Sequence, residues 1–200
     1  TNLVASDKMV DSPTNNFCTI NPLIRPYGTN TFSEGNLKIV TSSAYNAVVA
    51  TQPILSTGKF YWEILIDDDG GATWVGISPD GPNYNTLIQS SSDNPQNGDG
   101  IFYYEDGDTY IDSSWSGGYG ASYTDGDIIG VAINMDDSEV TFYKNNSSQG
   151  AVSFSGNSLA TATQVIVVGV HYGGTANYNF GSDSSFAGNE TAQGNQDGNG

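Results

Sequence analysis

Apolar residues recur at every second position in short runs along this chain, and nowhere hold a helical spacing of three and four residues for three turns. The clearest run is Lys59 to Ile66. There Phe60, Trp62, Ile64 and Ile66 share one face, and Tyr61, Glu63, Leu65 and Asp67 share the other. Further strands are predicted over 36–40, 45–50, 73–78, 101–104, 109–112 and 177–180. Ile128 to Asn134 and Glu139 to Lys144 read as a hairpin across Met135–Ser138, with Ile129, Val131 and Ile133 on one face and Val140 and Phe142 sharing another. Val165 to Val170 is apolar throughout, as expected for a strand covered on both faces. Polar stretches 79–99 and 113–126 read as long loops, and Asp67–Gly71 and Glu105–Asp108 as turns. Short strands between frequent turns predict an all-β fold, an antiparallel two-sheet β-sandwich.

The strands divide the chain. Residues 1–34, broken by Pro13, Pro22 and Pro26, are expected to wrap the surface. Residues 35–188 form the sandwich, and 189–200 are a flexible Gly/Asn-rich linker or tail.

Composition narrows the function. The chain has 200 residues, with 22 Asp+Glu against 5 Lys+Arg and a net charge of −17. Nothing here could replace phosphate counterions, so nucleic acid is excluded as a partner, and anionic membrane surfaces are disfavoured. No apolar run is long enough to insert in a bilayer, and the first ten residues lack the pattern of a signal peptide. The chain starts at Thr1 rather than Met, as a processed or excised segment would. One Cys and one His exclude a disulfide framework and a Cys/His zinc site.

Four blocks, in order, resemble the SPRY family. They are Gly58-Lys59-Phe60-Tyr61-Trp62-Glu63-Ile64; Trp74-Val75-Gly76-Ile77-Ser78; Gly126 to Asn134 followed by Val140 to Asn146; and Asn177-Tyr178-Asn179-Phe180-Gly181. Asn134 stands where Asp is common, and Asn146 where Gly usually closes the hairpin. The resemblance implies a concanavalin-like sandwich of jelly-roll type, acting as a non-catalytic binding module through loops at one end. Asp11 to Leu23 also resembles a segment that precedes SPRY domains in bacteriophage structural proteins, which implies a virion or extracellular location. Trimers are common in phage fibres, so a homo-oligomer within a virion is an associated expectation.

Catalytic readings are weak. Glycoside hydrolases of the same architecture carry Glu-x-Asp-x-Glu on one strand, whereas here Leu65 separates Glu63 from Asp67. His171 would have to serve any Ser-His-Asp or Cys-His site, but it follows a buried strand into Tyr172-Gly173-Gly174 and reads as a strand-end turn residue. Cys18 reads as a small buried hydrophobe. Calcium is the metal the carboxylates would suit, with Asp67, Asp68 and Asp69 as candidate ligands, although Asp is also a common turn residue. No other cofactor is expected.

The strongest functional signal is aromatic. Tyr104, Trp115, Tyr119 and Tyr123 lie among Gly, Ser and Asp, the residue mixture of adaptable recognition loops. Asn83 and Tyr84 form a second candidate loop. The expected function is recognition of a host-surface glycan or protein by these rings. The alternatives are a structural or decoration module packing against other virion subunits, and a glycoside hydrolase.

Overall fold

The computed structural model describes residues 16–24, 29–42, 45–79 and 99–191. In chain order its strands are β1 (Asn30–Ser33), β2 (Lys38–Thr41), β3 (Tyr45–Val49), β4 (Ile54–Leu55), β5 (Lys59–Asp68), β6 (Thr73–Pro79) and β7 (Ile101–Tyr104). They continue as β8 (Thr109–Ile111), β9 (Ser114–Ser116), β10 (Ile128–Asn134), β11 (Glu139–Lys144), β12 (Ser147–Ser153), β13 (Gln164–Tyr172) and β14 (Thr175–Asn179). One sheet runs β1-β2-β14-β5-β10-β11-β12 and the other β3-β13-β6-β7-β8-β9, with β4 added against β13. The expected antiparallel two-sheet sandwich is the observed architecture.

The register explains the core. Trp62 and Ile64 of β5 lie opposite Val131 and Ile129 of β10, and Val131 lies opposite Phe142 of β11. On the second sheet Val75 and Ile77 of β6 lie opposite Tyr103 and Ile101 of β7. These residues form one continuous buried cluster between the sheets. Each fully buried large apolar side chain contributes roughly 1.5–3 kcal/mol of transfer free energy. Val165, Val167 and Val168 of β13 are all buried, so both faces of that strand are covered.

Two features depart from the expectations. The segment expected only to wrap the sandwich supplies β1, and Ile20 forms a bridge to Ala50. His171 lies inside β13 rather than in a turn, pointing between the sheets. Within the expected bounds of the sandwich, Phe186 packs with Leu65 and Ile128 over the outer face of the first sheet. Asp183 holds that return, accepting hydrogen bonds from the Ser185 amide and hydroxyl and the Ala187 amide. These bonds, the Ser185 hydroxyl first, hold its carboxyl below the ordinary value.

The two family departures are locally satisfied. Asn145 and Asn146 adopt positive φ of 45° and 68°, a conformation Asn tolerates better than most residues. Asn134 accepts from the Asp137 amide at 3.2 Å and donates to its carboxylate at 2.6 Å.

Candidate functional site

One end of the sandwich gathers the β5–β6, β7–β8 and β13–β14 turns with the segment 117–127. Gly70 fixes part of this arrangement. A side chain there would collide with the backbone of Gly173 and Gly174, so the two turns meet only because Gly70 has no Cβ.

Segment 117–124 laces the two sheets together at this end. The Tyr119 hydroxyl donates to the Gly150 carbonyl, the Ala121 amide donates to the Gln149 side chain, and Lys144 donates to the Ser122 carbonyl. Tyr103 reaches the same segment through the Ala121 carbonyl. The last strands of both sheets, β9 and β12, are thereby tied at one seam.

The outer face of the second sheet carries a row of aromatic rings. Alternation sends Tyr103 inward, where its ring meets Tyr119, Tyr123 and Phe142, and sends Tyr104 outward. Tyr104 stacks on Trp74 with ring centroids 4.3 Å apart. Tyr45 meets Trp74 edge-on at 5.5 Å and Tyr172 at 5.0 Å, and Tyr104 meets Tyr110 at 6.4 Å. Trp115 of β9 lies opposite Tyr110 in register. It is 63% exposed, while Tyr172 at the far end of the row is 36% exposed.

Trp115 is held in place. Its indole N–H donates to Asp108 Oδ2 at 2.7 Å, and Asp108 Oδ1 accepts from the Gly118 amide at 2.7 Å. The benzo edge of the ring lies over Gly117, where an added Cβ would come within 2.7 Å. The ring is therefore exposed yet oriented.

Carboxylates border this row. Asp106 accepts from the Asp108 amide at 3.1 Å, and Glu105 accepts from the Thr73 amide at 2.8 Å. Burial pushes the Glu105 carboxyl up to about 7; the Thr73 amide opposes that rise, and Asp69, Asp106 and Asp125 add to it. Burial likewise raises Asp106, against the Asp108 amide, which lowers it, while the Asp108 charge adds to the rise. Among the described residues the two ion pairs are Lys38–Asp67 and Lys144–Asp127, and neither reaches this border.

The sequence-predicted residues separate accordingly. Trp115 and Tyr104 lie on the aromatic row. Tyr119 is half-buried at the seam. Tyr123 is corrected: it is only 3% exposed, and its hydroxyl donates to the carbonyls of Thr73 and Tyr103, so it belongs to the core. Asn83 and Tyr84 lie outside the described residues. Tyr110 belongs to the aromatic-rich stretch of the sequence, whereas Tyr45 and Tyr172 lie outside it. Their alternation with inward neighbours on β3, β8 and β13 was the available signal.

The carboxylates regroup as well. Asp67 turns away to Lys38 at 2.8 Å. Asp68 and Asp69 instead meet Asp125, whose side chain accepts from the Asp69 amide at 2.8 Å. Glu63 is buried and accepts from Tyr61 at 3.0 Å and Asn179 at 3.0 Å. Those bonds, one within β5 and one across to β14, engage both of its oxygens away from Asp67. His171 is buried between the Thr73 hydroxyl at 3.4 Å and the Tyr178 hydroxyl at 3.0 Å, and burial lowers its pKa to about 4. Cys18 is half-buried against the core, with its sulfur 3.7 Å from the Thr51 hydroxyl.

Comparison with known proteins agrees with this fold. A family model described as "SPRY domain" matches residues 59–183. Ran-binding protein 9 of Xenopus laevis is 32% identical over 127 residues, covering 59% of this chain and 22% of its own length. Ran-binding protein 10 of Danio rerio is 32% identical over 107 residues, covering 52% and 17%. The chain thus spans about a fifth of the length of these relatives. The SPRY domain of human HERC1 superposes with a TM-score of 0.62 at 17% identity, over 82% of this chain and 99% of that one, a likeness of fold. These relatives correct the expected virion or extracellular location: they are animal Ran-binding proteins, and no finding links the chain to phage structural proteins. Nothing in the comparisons points to an enzyme. The four sequence blocks, the sandwich that unites them and a family match over more than half the chain lead to one assignment: the chain belongs to the SPRY domain family, whose members are protein–protein interaction modules.

Proposed function

We propose that this chain is a non-catalytic module that binds a segment of a partner protein across the aromatic row ending at Trp115. The observation that carries this reading is the state of Trp115: largely exposed, yet oriented by Asp108 and Gly117. A fixed, exposed indole supplies contact area with little loss of side-chain entropy on binding. The row behind it adds half-buried tyrosines whose rings are already packed. Trp74 lies buried beneath them, stacked on Tyr104.

A random short-peptide library selected on the full chain tests the reading, with a glycan array run beside it. Peptides retained by the wild type and bound about tenfold more weakly by Trp115→Ala would support it. Retention unchanged by Trp115→Ala would overturn it, as would sugars bound where no peptide binds.

A further inference from the structure

The indole N–H of Trp115 is spent on Asp108, so what remains on offer is the ring's π surface. That surface suits either an apolar group or a cation. The surroundings decide between them. Asp108 lies against the ring, and Asp106 is bonded to the Asp108 amide. Asp69 and Asp125 meet at the neighbouring turn. The basic side chains among the described residues are Lys38, Lys59 and Lys144. Lys38 is paired with Asp67, Lys144 with Asp127, and Lys59 starts β5 at the opposite end from these turns. The carboxylate border therefore has no cation from the described part of its own chain.

We propose that the partner segment presents an arginine, its guanidinium stacked on the exposed Trp115 ring and hydrogen-bonded toward Asp106 and Asp108. This inference rests on the protein-binding reading above and names its chemistry. Charge complementarity favours a basic occupant over an acidic or purely apolar one. Arginine fits better than lysine because its planar group can cover an indole and direct N–H donors at carboxylates in the same plane. An apolar side chain would cover the ring but leave the charge of the neighbouring carboxylates uncompensated as water is removed.

A positional-scanning peptide library in EDTA tests this, with one position fixed in turn as Arg, Lys, citrulline, Leu or Glu and the rest randomised. Binding is measured to the wild-type chain, to Trp115→Ala and to Asp106→Asn. The Arg-fixed mixture is expected to bind wild type about tenfold better than the citrulline mixture, which keeps the shape but loses the charge. That advantage should vanish on Trp115→Ala and shrink on Asp106→Asn. Leu- or Glu-fixed mixtures binding best, and still losing affinity on Trp115→Ala, would overturn the arginine inference while leaving the binding surface intact. Arg and Lys mixtures binding equally and ignoring Trp115→Ala would show only general attraction to an acidic chain, overturning both. Failure of every mixture to bind would also overturn both.

Discussion

Glu63 and Asn179 meet across β5 and β14, with the Asn179 amide donating to the Glu63 carboxylate at 3.0 Å. Each belongs to a different block of the family pattern, more than a hundred residues apart in the chain. Glu63 also accepts from Tyr61. Glu63→Ala leaves the buried Asn179 amide without its acceptor and is expected to cost about 1–3 kcal/mol in chemical denaturation. Glu63→Gln keeps an acceptor oxygen and should cost less. A hydrolase nucleophile would instead show loss of sugar release with unchanged stability.

The Tyr178 hydroxyl fills the space a side chain at Gly169 would need, on the way to His171. Gly169→Ala is expected to destabilise the fold by about 1–3 kcal/mol through overpacking. Tyr178→Phe removes the obstructing oxygen, so the double variant should lose less than the sum of the two single losses. Additive losses in thermal unfolding would mean the two positions do not press on each other.

Glu105 and His171 set opposed pH dependences. With its folded pKa at about 7 against an ordinary 4.5, Glu105 retains a proton in the folded chain that the unfolded chain has released. Its contribution to stability therefore falls as pH rises through that window. His171, lowered to about 4 from 6.5, does the reverse: the unfolded chain binds its proton first, and stability falls as pH drops through that window. Glu105→Gln should raise the unfolding midpoint at about pH 8, give no gain near pH 4, and steepen the acid-side decline below about pH 6.5. A constant offset between variant and wild type at every pH would contradict the assignment.

Trp115 and Tyr123, eight residues apart, should answer truncation very differently. Trp115→Ala is expected to leave stability within about 0.5 kcal/mol. Tyr123→Ala empties a core site and strips a donor from two carbonyls, and should cost on the order of 3–5 kcal/mol. Denaturant midpoints of the two variants check the contrast.

The sequence was most legible where a strand has neighbours on both sides. β5, β6, β10, β11 and β13 carry inward apolar residues at alternate positions, and their boundaries fall near the predicted ones. β9 falls in a stretch that reads as loop and β12 carries no strand signal, because both lie at sheet edges and are rich in Ser, with mostly exposed residues. Tyr123 was misread for a related reason. Its Gly- and Ser-rich surroundings look like surface, but its hydroxyl reaches the carbonyls of Thr73 and Tyr103 from a segment folded back over them. The meeting of Asp68 and Asp69 with Asp125 depends on a contact between turns more than fifty residues apart, which no local spacing reveals.

The seam formed by residues 117–124 has a mechanical consequence. Trp115 stands just before this segment on the last strand of one sheet, and the segment is bonded to the last strands of the other. A partner that pulls on the indole loads both layers at once instead of peeling β9 away. Little backbone has to be frozen when a partner docks, so differences in affinity among partners should be expressed chiefly in how long each complex lasts.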